Sequence, residues 1–306
     1  MEDLFFQKLD RVIPNEHIKL QETMEAHTSL HIGGKADYFV TPTDIGEIRD
    51  VVSLCRQEKL PYYIMGNGSN LLVSDMGYRG LIIQLGEEFS KVWVSNDCRI
   101  TAQAGILLAR LANVAAEHSL TGLEFASGIP GSLGGAVTMN AGAYDGEMKQ
   151  CLTGARVLDE EGNVLELNRE ELELGYRSSV LQKKNYILLE ADMQLSTGDA
   201  ALIRQKMNEL NAQRREKQPL DNYSAGSTFR RPPGYFAGKL INDAGLRGYQ
   251  VGGAAVSEKH CGFVVNKDHA TALEFLTLVE DVIRIVEDKF GVRLEPEVKF
   301  LGDFPR

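Results

Sequence analysis

Two kinds of hydrophobic spacing alternate along the first third of the chain. Residues 36–40, 61–65, 71–73 and 81–85 form short apolar runs, which are typical of buried strands. Residues 44–59 instead carry apolar side chains at helical spacing. One face of that helix holds Ile45, Ile48, Val51, Val52 and Cys55. The pattern therefore predicts strands alternating with helix, which is a mixed α and β fold.

The middle third is mixed in the same way. Residues 106–118 have a helical period, and residues 186–195 form a β run. Two short β-type runs flank Glu160-Glu161-Gly162-Asn163, which predicts a hairpin. The acidic stretch 169–174 has a helical character, and Asp199 can cap a helix that continues to about residue 217. The inward positions of that second helix are Leu202, Ile203, Met207 and Leu210.

The last third begins after a break in the pattern at Pro219 and residues 221–226. A helix is predicted over residues 236–244, followed by a second that opens with a capping box at residues 271–274 and ends at Gly291. Residues 292–300 alternate strictly between apolar and charged side chains. Because Pro296 cannot donate a hydrogen bond, this run is expected to be an edge strand or a strand interrupted at a bulge.

Length and charge narrow the class of protein. The 306 residues suggest two or three domains at about 150 residues each. The net charge of −10 disfavours a non-specific nucleic-acid binder, which needs surplus Lys and Arg. No apolar run is long enough for a membrane helix, and residues 1–10 lack the features of a signal peptide. With four cysteines and no CxxC pair, a soluble, reduced, cytoplasmic protein without a metal site is expected.

The first of two glycine-rich segments is Gly66-Asn67-Gly68-Ser69-Asn70, which follows a predicted strand. It does not match a dinucleotide fingerprint, because Leu71 replaces the third glycine and the next segment is strand-like. Closely spaced glycines with Asn and Ser can still form a nest of backbone N–H groups that holds a diphosphate. A tight turn between two strands is the alternative interpretation.

The second glycine-rich segment is Gly128-Ile129-Pro130-Gly131-Ser132-Leu133-Gly134-Gly135-Ala136. No Gly-Lys-Ser/Thr follows, so it is not a P-loop. Four glycines in eight residues allow a close approach of the backbone, which favours a loop that holds a ligand over a plain connector. Two such cradles suit a ligand with a long phosphate bridge, such as a flavin or nicotinamide dinucleotide.

Three polar positions are candidates for chemistry. Arg177 can hold a carboxylate with its two-pronged guanidinium, although an isolated arginine is more often a surface residue. Ser227 directly precedes the stretch 228–247, which includes Arg230. This stretch has four basic residues and one acidic residue, which suits an anionic substrate. A turn cap is the alternative for Ser227. For Glu297, a solvated polar face is the simpler interpretation.

Seven motifs in this order resemble those of the UDP-N-acetylenolpyruvoylglucosamine reductases. They are His27-Thr28-Ser29 with Ile32-Gly33-Gly34, Gly66 to Leu72, Gly128 to Gly135, Tyr176-Arg177-Ser178-Ser179, Gly226-Ser227-Thr228-Phe229, Lys259-His260 with Gly262-Phe263, and Leu294-Glu295-Pro296-Glu297-Val298. The chain departs from common family patterns at Lys35 and at Arg230-Arg231. Only about fifteen residues separate Ser179 from Leu195, so it resembles the shorter form of the family.

The resemblance implies an α+β FAD-binding fold of the vanillyl-alcohol-oxidase-like type in two subdomains, followed by a substrate domain. The expected divisions are residues 1–86, 87–218 and 219–297, with 298–306 returning to the first. It implies non-covalent FAD, NADPH as reductant, and reduction of the enolpyruvyl ether of a UDP-sugar to UDP-N-acetylmuramate for peptidoglycan. A monomer without nucleic-acid or membrane partners is expected.

The resemblance also assigns roles to residues. Ser227 is expected to be the general acid, and Arg177 and Glu297 are expected to stabilise an enolic intermediate. Arg230, Lys239 and Lys259 are expected to contact the substrate. The residues expected to hold FAD are Gly66, Asn67, Gly68, Ser69, Asn70, Leu71, Gly128, Ile129, Pro130, Gly131, Ser132, Gly134, Gly135 and Ala136.

Two other functions are open at this point. One is a flavin oxidase of the same fold that acts on an alcohol and consumes oxygen without NADPH. The other is a non-catalytic module that binds a flavin or a nucleotide sugar.

Overall fold

The structure, a computed structural model, describes residues 4–305 of the chain. Its α-helices are α1 (Leu4–Leu9), α2 (Ile45–Glu58), α3 (Leu108–Glu117), α4 (Leu133–Thr138), α5 (Val180–Lys183), α6 (Ala200–Lys217), α7 (Ala237–Asp243) and α8 (Ala272–Phe290). None of these helices has the length and apolar composition that a membrane crossing requires.

The strands are short and numerous. They are β1 (Ile18–Thr23), β2 (Lys35–Val40), β3 (Tyr62–Met65), β4 (Leu71–Val73), β5 (Tyr78–Gln84), β6 (Val92–Val94), β7 (Arg99–Gln103), β8 (Leu120–Thr121), β9 (Gly142–Ala143), β10 (Gly146–Glu147), β11 (Leu152–Leu158), β12 (Val164–Asn168), β13 (Ile187–Gln194), β14 (Ser196–Thr197), β15 (Tyr223–Ser224), β16 (Gln250–Val251), β17 (Ala254–Val256), β18 (Val264–Asn266) and β19 (Lys299–Leu301).

The described chain divides into two compact units. The first unit comprises residues up to 19, 38–67 and 80–214, and the second comprises residues 20–37, 68–79 and 215 onward. Neither unit is a continuous segment. The division into three domains expected from the sequence stays a prediction.

The first unit holds a five-stranded sheet in the order β12-β11-β13-β7-β6, in which each neighbouring pair is antiparallel. The predicted hairpin is confirmed as β11 and β12, with Leu158 opposite Val164. Helix α2 is also confirmed: the Asp44 side chain accepts the Glu47 N–H at its start, and Lys59 ends it in the left-handed conformation. Strand β3 pairs with β5 in parallel.

The second unit contains the sheet β15-β18-β17-β16 and the separate parallel pair β4 and β19. Its longest helix is α8, which buries a continuous apolar face consisting of Ala272, Phe275, Leu278, Val279, Val282 and Val286. The predicted capping box is present at Thr271 and Glu274, and Gly291 ends the helix with φ +66°. The N–H groups of Thr271 and Gly253 hold the pKa of the Glu274 carboxyl below its usual value.

Three predicted features differ from the structure in the first unit. Residues 169–174 form turns rather than a helix, because the stretch is too short and too polar to bury a helical face. Leu202 is 65% exposed, although Ile203, Met207 and Leu210 of the same helix are buried as expected. The second glycine segment is only partly a loop, since its last residues lie in α4.

The predicted strand over residues 292–300 is wrong in its extent. Only Lys299–Leu301 is a strand, and Pro296 forms one isolated bridge with Phe229. The alternation of burial does hold for Leu294 and Val298, which are both buried, but Phe300 is 38% exposed. Pro296 has no N–H, so the segment cannot continue a ladder through this position.

Replacing Thr271 by Ala is expected to lower the free energy of unfolding by about 1 kcal/mol, because the N–H of Glu274 loses its capping acceptor. Chemical denaturation with the linear extrapolation method measures this. Thr277→Ala is the matched control on the same helix: its hydroxyl bonds only to the Leu273 carbonyl inside the helix, so its removal should be neutral or slightly stabilising. Equal losses in both variants would contradict the capping role.

Candidate functional site

The two glycine-rich segments meet within the first unit. The Asn67 Nδ2 donates a hydrogen bond of 2.7 Å to the carbonyl oxygen of Pro130. A Cβ atom at Gly66 would lie 2.0 Å from the Ser132 Oγ, so glycine is required there for close packing. Gly66 itself accepts a hydrogen bond of 3.2 Å from the Gln84 side chain. The first two residues of the first segment, Gly66 and Asn67, therefore lie directly against the second segment.

Backbone hydrogen bonds fix the second segment as it turns into α4. The Gly131 carbonyl accepts from the Leu108 N–H at 2.9 Å, the Leu133 N–H donates to Ile106 at 2.9 Å, and the Gly134 N–H donates to Ala104 at 2.7 Å. These bonds anchor both ends of the turn. The sequence interpretation of a single loop is thereby corrected: Gly128 to Ser132 precede the helix, while Gly134, Gly135 and Ala136 belong to it.

The glycines of this segment serve different purposes. A Cβ atom at Gly128 would lie 2.4 Å from the Asn211 Oδ1, so its absence lets α6 pack closely. A Cβ atom at Gly134 would lie 3.3 Å from the Cβ of Ala104, so that position is closely packed. Gly135, in contrast, is exposed, and no atom lies within 4 Å of the position of its missing Cβ. The protein therefore leaves space open beside Gly135 that it does not fill itself.

The remainder of the first segment belongs to the second unit. Gly68 has φ +62°, and a Cβ atom there would lie 2.0 Å from the His27 carbonyl oxygen. Its own carbonyl accepts from the Ser29 N–H at 3.2 Å. Ser69 and Asn70 complete the turn, and Leu71 begins the buried strand β4. Gly68 is thus needed for the fold of this turn, whatever it binds.

Arg177 occupies the tip of a tight turn in the first unit. Gly175 and Ser178 exchange backbone hydrogen bonds of 3.0 and 3.3 Å across it. Arg177 adopts the left-handed conformation with φ +52°, and its guanidinium carbon lies 5.3 Å from the centre of the Tyr176 ring. The turn therefore carries a half-buried cation.

Two buried polar residues fix this turn to the C-terminal end of α4. The Ser179 Oγ donates to the Thr138 carbonyl at 2.7 Å, and the Asn140 Nδ2 donates to the Gly175 carbonyl at 3.1 Å. Both residues are at most 1% exposed. The sequence motif Tyr176-Arg177-Ser178-Ser179 includes Ser179 but indicates no positioning role for it, and Asn140 lies outside the seven motifs. Their burial is the signal that identifies them.

Ser227 lies in the second unit next to Thr228, whose backbone and side-chain polar groups all form hydrogen bonds. Thr228 is fully buried: its N–H donates to Gly262 at 2.8 Å and its hydroxyl accepts from the Val264 N–H at 2.8 Å. The Thr228 carbonyl accepts from the Glu297 N–H at 2.8 Å. Ser227 is exposed and is not the N-cap of any described helix. The structure therefore brings Ser227 and Glu297 onto adjacent, hydrogen-bonded segments.

Glu297 is also held from its other side. The Asn70 Nδ2 donates to the Glu297 carbonyl at 3.1 Å, and the Lys299 N–H donates to the Asn70 carbonyl at 3.1 Å. Glu297 is half-buried, whereas the side chain of Glu295 is 74% exposed. The side chains of Glu295 and Glu297 therefore differ in their exposure to solvent.

The basic residues of the second unit differ in how they are paired. Lys239 forms an ion pair with Asp243 along α7, and the Lys259 Nζ donates to the Arg215 carbonyl at 2.6 Å. Arg230 lies 4.0 Å from the Glu295 carboxylate, and its Nε is buried without a hydrogen-bond partner among the described residues. Arg230 therefore has the longer of the two ion pairs, whereas both lysines have close partners.

Comparison with known proteins agrees with this arrangement. Residues 36–168 match the family model described as "FAD binding domain", and residues 218–301 match "UDP-N-acetylenolpyruvoylglucosamine reductase, C-terminal domain". A solved glucose dehydrogenase, Phl p 4.0202, shares the fold at 14% identity, with a TM-score of 0.52 over 65% of this chain and 45% of that chain. Fold and family model together define an α+β flavoprotein with the FAD-binding fold expected from the sequence.

Full-length relatives identify the family. The chain is 53% identical to the UDP-N-acetylenolpyruvoylglucosamine reductase of Lachnoclostridium phytofermentans, over 99% of both chains. It is 49% identical to the reductase of the same name from Caldanaerobacter subterraneus, over 99% of this chain and all of the other. The crystal structure of the Thermus caldophilus reductase matches with a TM-score of 0.78 and 36% identity, over 93% and 98% of the chains. The chain belongs to the UDP-N-acetylenolpyruvoylglucosamine reductase family and is an FAD-dependent oxidoreductase.

In the first unit, the backbone at Gly135 is accessible to a cofactor. The open space beside Gly135 is one that a Cβ would fill, and it lies on the helix that the second glycine segment enters. Backbone that is free of side chains can approach a cofactor closely.

Enlarging Gly135 should therefore weaken FAD binding without unfolding the protein. Gly135→Ala is expected to leave the apoprotein equally or more stable, because alanine favours a helix by roughly 0.5–1 kcal/mol. Gly135→Leu should raise the Kd for FAD at least about tenfold, since its side chain enters the open space. Flavin fluorescence titration of the apoproteins measures the Kd. An unchanged Kd in the leucine variant would show that FAD does not approach here.

Proposed function

We propose that this chain reduces the enolpyruvyl ether of UDP-N-acetyl-3-O-(1-carboxyvinyl)-glucosamine to the lactyl ether of UDP-N-acetylmuramate, with NADPH as reductant. The supporting observation is the network around Thr228, which holds Ser227 and Glu297 on neighbouring segments. That network joins a hydroxyl donor and a carboxyl group, which are the two kinds of group that a vinyl ether carboxylate needs for protonation and for stabilisation of its enol.

The proposed chemistry divides between cofactor and side chains. Bound FAD, once reduced by NADPH, supplies a hydride to the terminal carbon of the enolpyruvyl group. Negative charge then develops on the carboxyl-bearing carbon and its carboxylate. Arg177 offsets this charge through its planar guanidinium. Ser227 donates its proton to the same carbon, a step that a positioned group accelerates roughly 10²–10⁴-fold. Glu297 hydrogen-bonds to the enol oxygen.

The binding assignments are part of the same proposal. Arg230 is the best-supported substrate contact of the three, because its guanidinium has only a long ion pair, 4.0 Å from the exposed Glu295 carboxylate. Lys239 and Lys259 would have to exchange their present partners for substrate oxygens. The backbone of both glycine segments would hold FAD. We further propose a cytoplasmic monomer with three domains that has no nucleic-acid or membrane partner.

Ser227→Ala separates chemistry from structure. Ser227 is exposed and caps no described helix. The free energy of unfolding of the variant should therefore lie within about 0.5 kcal/mol of the wild-type value. It should bind FAD and be bleached by NADPH at a near-native rate. Reoxidation by the enolpyruvyl substrate should be at least about a hundredfold slower, since the proton donor is missing. Stopped-flow absorbance of the two half-reactions under anaerobic conditions measures both rates.

Two further observations sharpen this test. In D₂O, the wild-type product should carry solvent deuterium at the α-carbon and the hydride-derived hydrogen on the adjacent methyl group. Ser227→Cys should recover part of the rate, because a thiol can also donate a proton. Native reoxidation of Ser227→Ala would remove this residue from the mechanism. A flavin that NADPH does not bleach, but that an alcohol reduces and oxygen reoxidises, would favour a flavin oxidase instead.

Arg177→Lys should impair the substrate half-reaction selectively. Lysine keeps the charge but loses the planar two-point contact with a carboxylate. We expect reoxidation by substrate to slow by at least about tenfold, a loss of roughly 1.4 kcal/mol, while reduction by NADPH is largely retained. Arg169→Lys, an exposed arginine on the preceding turn, is the matched control and should leave both half-reactions unchanged. Equal losses in the two half-reactions would indicate a folding defect.

A further inference from the structure

The turn that carries Arg177 is held in place through the carbonyl of Gly175. Gly175 and Ser178 close the turn with two backbone hydrogen bonds, and the Gly175 carbonyl also accepts from the Asn140 Nδ2 at 3.1 Å. Asn140 is only 1% exposed, so water does not compete for this bond. The placement of the turn therefore depends on the direction in which the amide of Asn140 faces.

Three hydrogen bonds determine the direction of that amide. Besides its bond to Gly175, the Asn140 Nδ2 donates to the Glu147 Oε2 at 3.0 Å, and the Asn140 Oδ1 accepts from the Lys149 N–H at 2.9 Å. If the amide turned over, its oxygen would face two acceptors and its NH2 group would face a donor. All three bonds would then be lost, so one orientation is strongly favoured.

Glu147, the last residue of β10, supplies the charged member of this set. An ionised carboxylate can only accept hydrogen bonds, so Glu147 selects the NH2 end of the Asn140 amide. The carboxylate is itself held in place, because it also accepts from the Gln150 N–H, while the Gln150 side chain accepts from the Glu147 N–H at 3.3 Å. Hydrogen bonds to a charged group are stronger than those between neutral groups.

The backbone of Asn140 does not by itself explain an asparagine at this position. Its φ of +43° lies in the left-handed region, which glycine adopts without steric cost. What glycine would not provide is the amide that bridges Glu147, Lys149 and Gly175. The side chain is therefore the distinguishing feature of this residue.

We infer that Glu147 is a positioning residue for Arg177 and that it acts through the amide of Asn140. The contacts lead from the Glu147 carboxylate to Asn140, from Asn140 to the Gly175 carbonyl, and across the turn to Arg177. The inference rests on the proposed function, in which Arg177 offsets the charge that develops on the substrate. It adds a residue that has no part in the chemistry but sets the geometry of one that does.

Glu147→Gln tests this inference, and Glu166→Gln, at an exposed position on β12, is the matched control. The new NH2 group cannot accept, so the contacts to Asn140 and Gln150 are weakened. We expect the limiting rate of flavin reoxidation by the enolpyruvyl substrate to fall at least about fivefold, because Arg177 is displaced. The control should keep the wild-type rate.

Other properties of Glu147→Gln should stay near those of wild type. The half-saturating concentration of substrate should change less than about twofold, because the charge that Arg177 offsets develops only after hydride transfer. The Kd for FAD and the rate of bleaching by NADPH should be unchanged. Anaerobic stopped-flow absorbance and flavin fluorescence titration measure these quantities. Equal losses in both half-reactions would indicate a general structural role and would overturn the inference.

A double variant shows whether Glu147 acts through Arg177. Adding Glu147→Gln to Arg177→Lys should slow reoxidation by less than about a further twofold, since the guanidinium that it positions is absent. Losses that multiply would show an independent effect and would contradict the inference. Asn140→Gly tolerates the left-handed backbone but removes the amide, so it should reproduce the defect of Glu147→Gln. If thermal unfolding shows that Glu147→Gln does not fold, Asn140→Gly replaces it in every measurement.

The outcomes separate this inference from the proposed function. A wild-type flavin that NADPH bleaches but the enolpyruvyl substrate does not reoxidise would overturn the proposed function. Normal reoxidation of wild type, a defect in Arg177→Lys and a wild-type rate in folded Glu147→Gln would overturn only this inference.

Discussion

Thr228 is the residue on which the geometry of the second unit's polar site depends. Each of its polar groups is bonded in a fully buried position, to two other segments of chain, one at residues 262–264 and one at Glu297. An unpaired buried N–H or carbonyl costs about 1–3 kcal/mol, so these bonds strongly favour a single arrangement. Ser227 has little to restrain it by itself, since it is exposed. Its position relative to Glu297 is therefore set by its neighbour's hydrogen bonds rather than by its own contacts.

The first unit positions Arg177 by the same principle. Arg177 and Asn140 both adopt positive φ, at +52° and +43°, which is unfavourable for residues with a side chain. Hydrogen bonds from Ser179 and Asn140 offset this cost and attach the turn to α4. Helix α4 is also the helix that the second glycine segment enters. The turn that carries Arg177 is consequently attached to α4, the same short helix that contains Gly135.

The sequence predicts those features that local chemistry determines. Helix α8 is an example, because Thr271 and Glu274 specify its start and Gly291 its end without reference to the rest of the chain. Residues 292–300 show the limit of such reasoning. Their alternation correctly indicates the burial of Leu294 and Val298 but not the exposure of Phe300, and it carries no information about hydrogen-bond partners, since Pro296 forms only one bridge.

The glycine segments could be located from the sequence, but their individual glycines could not be distinguished. At Gly66 and Gly128 a Cβ atom would collide with the side chains of Ser132 and Asn211, whereas at Gly135 no residue from elsewhere in the chain lies within 4 Å of that position. These differences depend on residues that are distant in sequence. The same holds for Asn70, whose role depends on Glu297, 227 residues further along the chain. Composition and spacing predict a ligand-binding segment here, and only the neighbours distinguish closely packed glycines from accessible ones.

The separation between Asn70 and Glu297 also has a consequence for biosynthesis. Strand β4 follows Asn70 directly and pairs in parallel with β19, almost at the end of the chain. Translation proceeds at about 5–20 residues per second, so β4 waits roughly 10–45 s on the ribosome before its partner has been made. During that interval the apolar residues Leu71, Leu72 and Val73 lack the strand that completes their burial. Nascent chains of this protein are therefore expected to depend on chaperones that cover exposed apolar strands until synthesis ends.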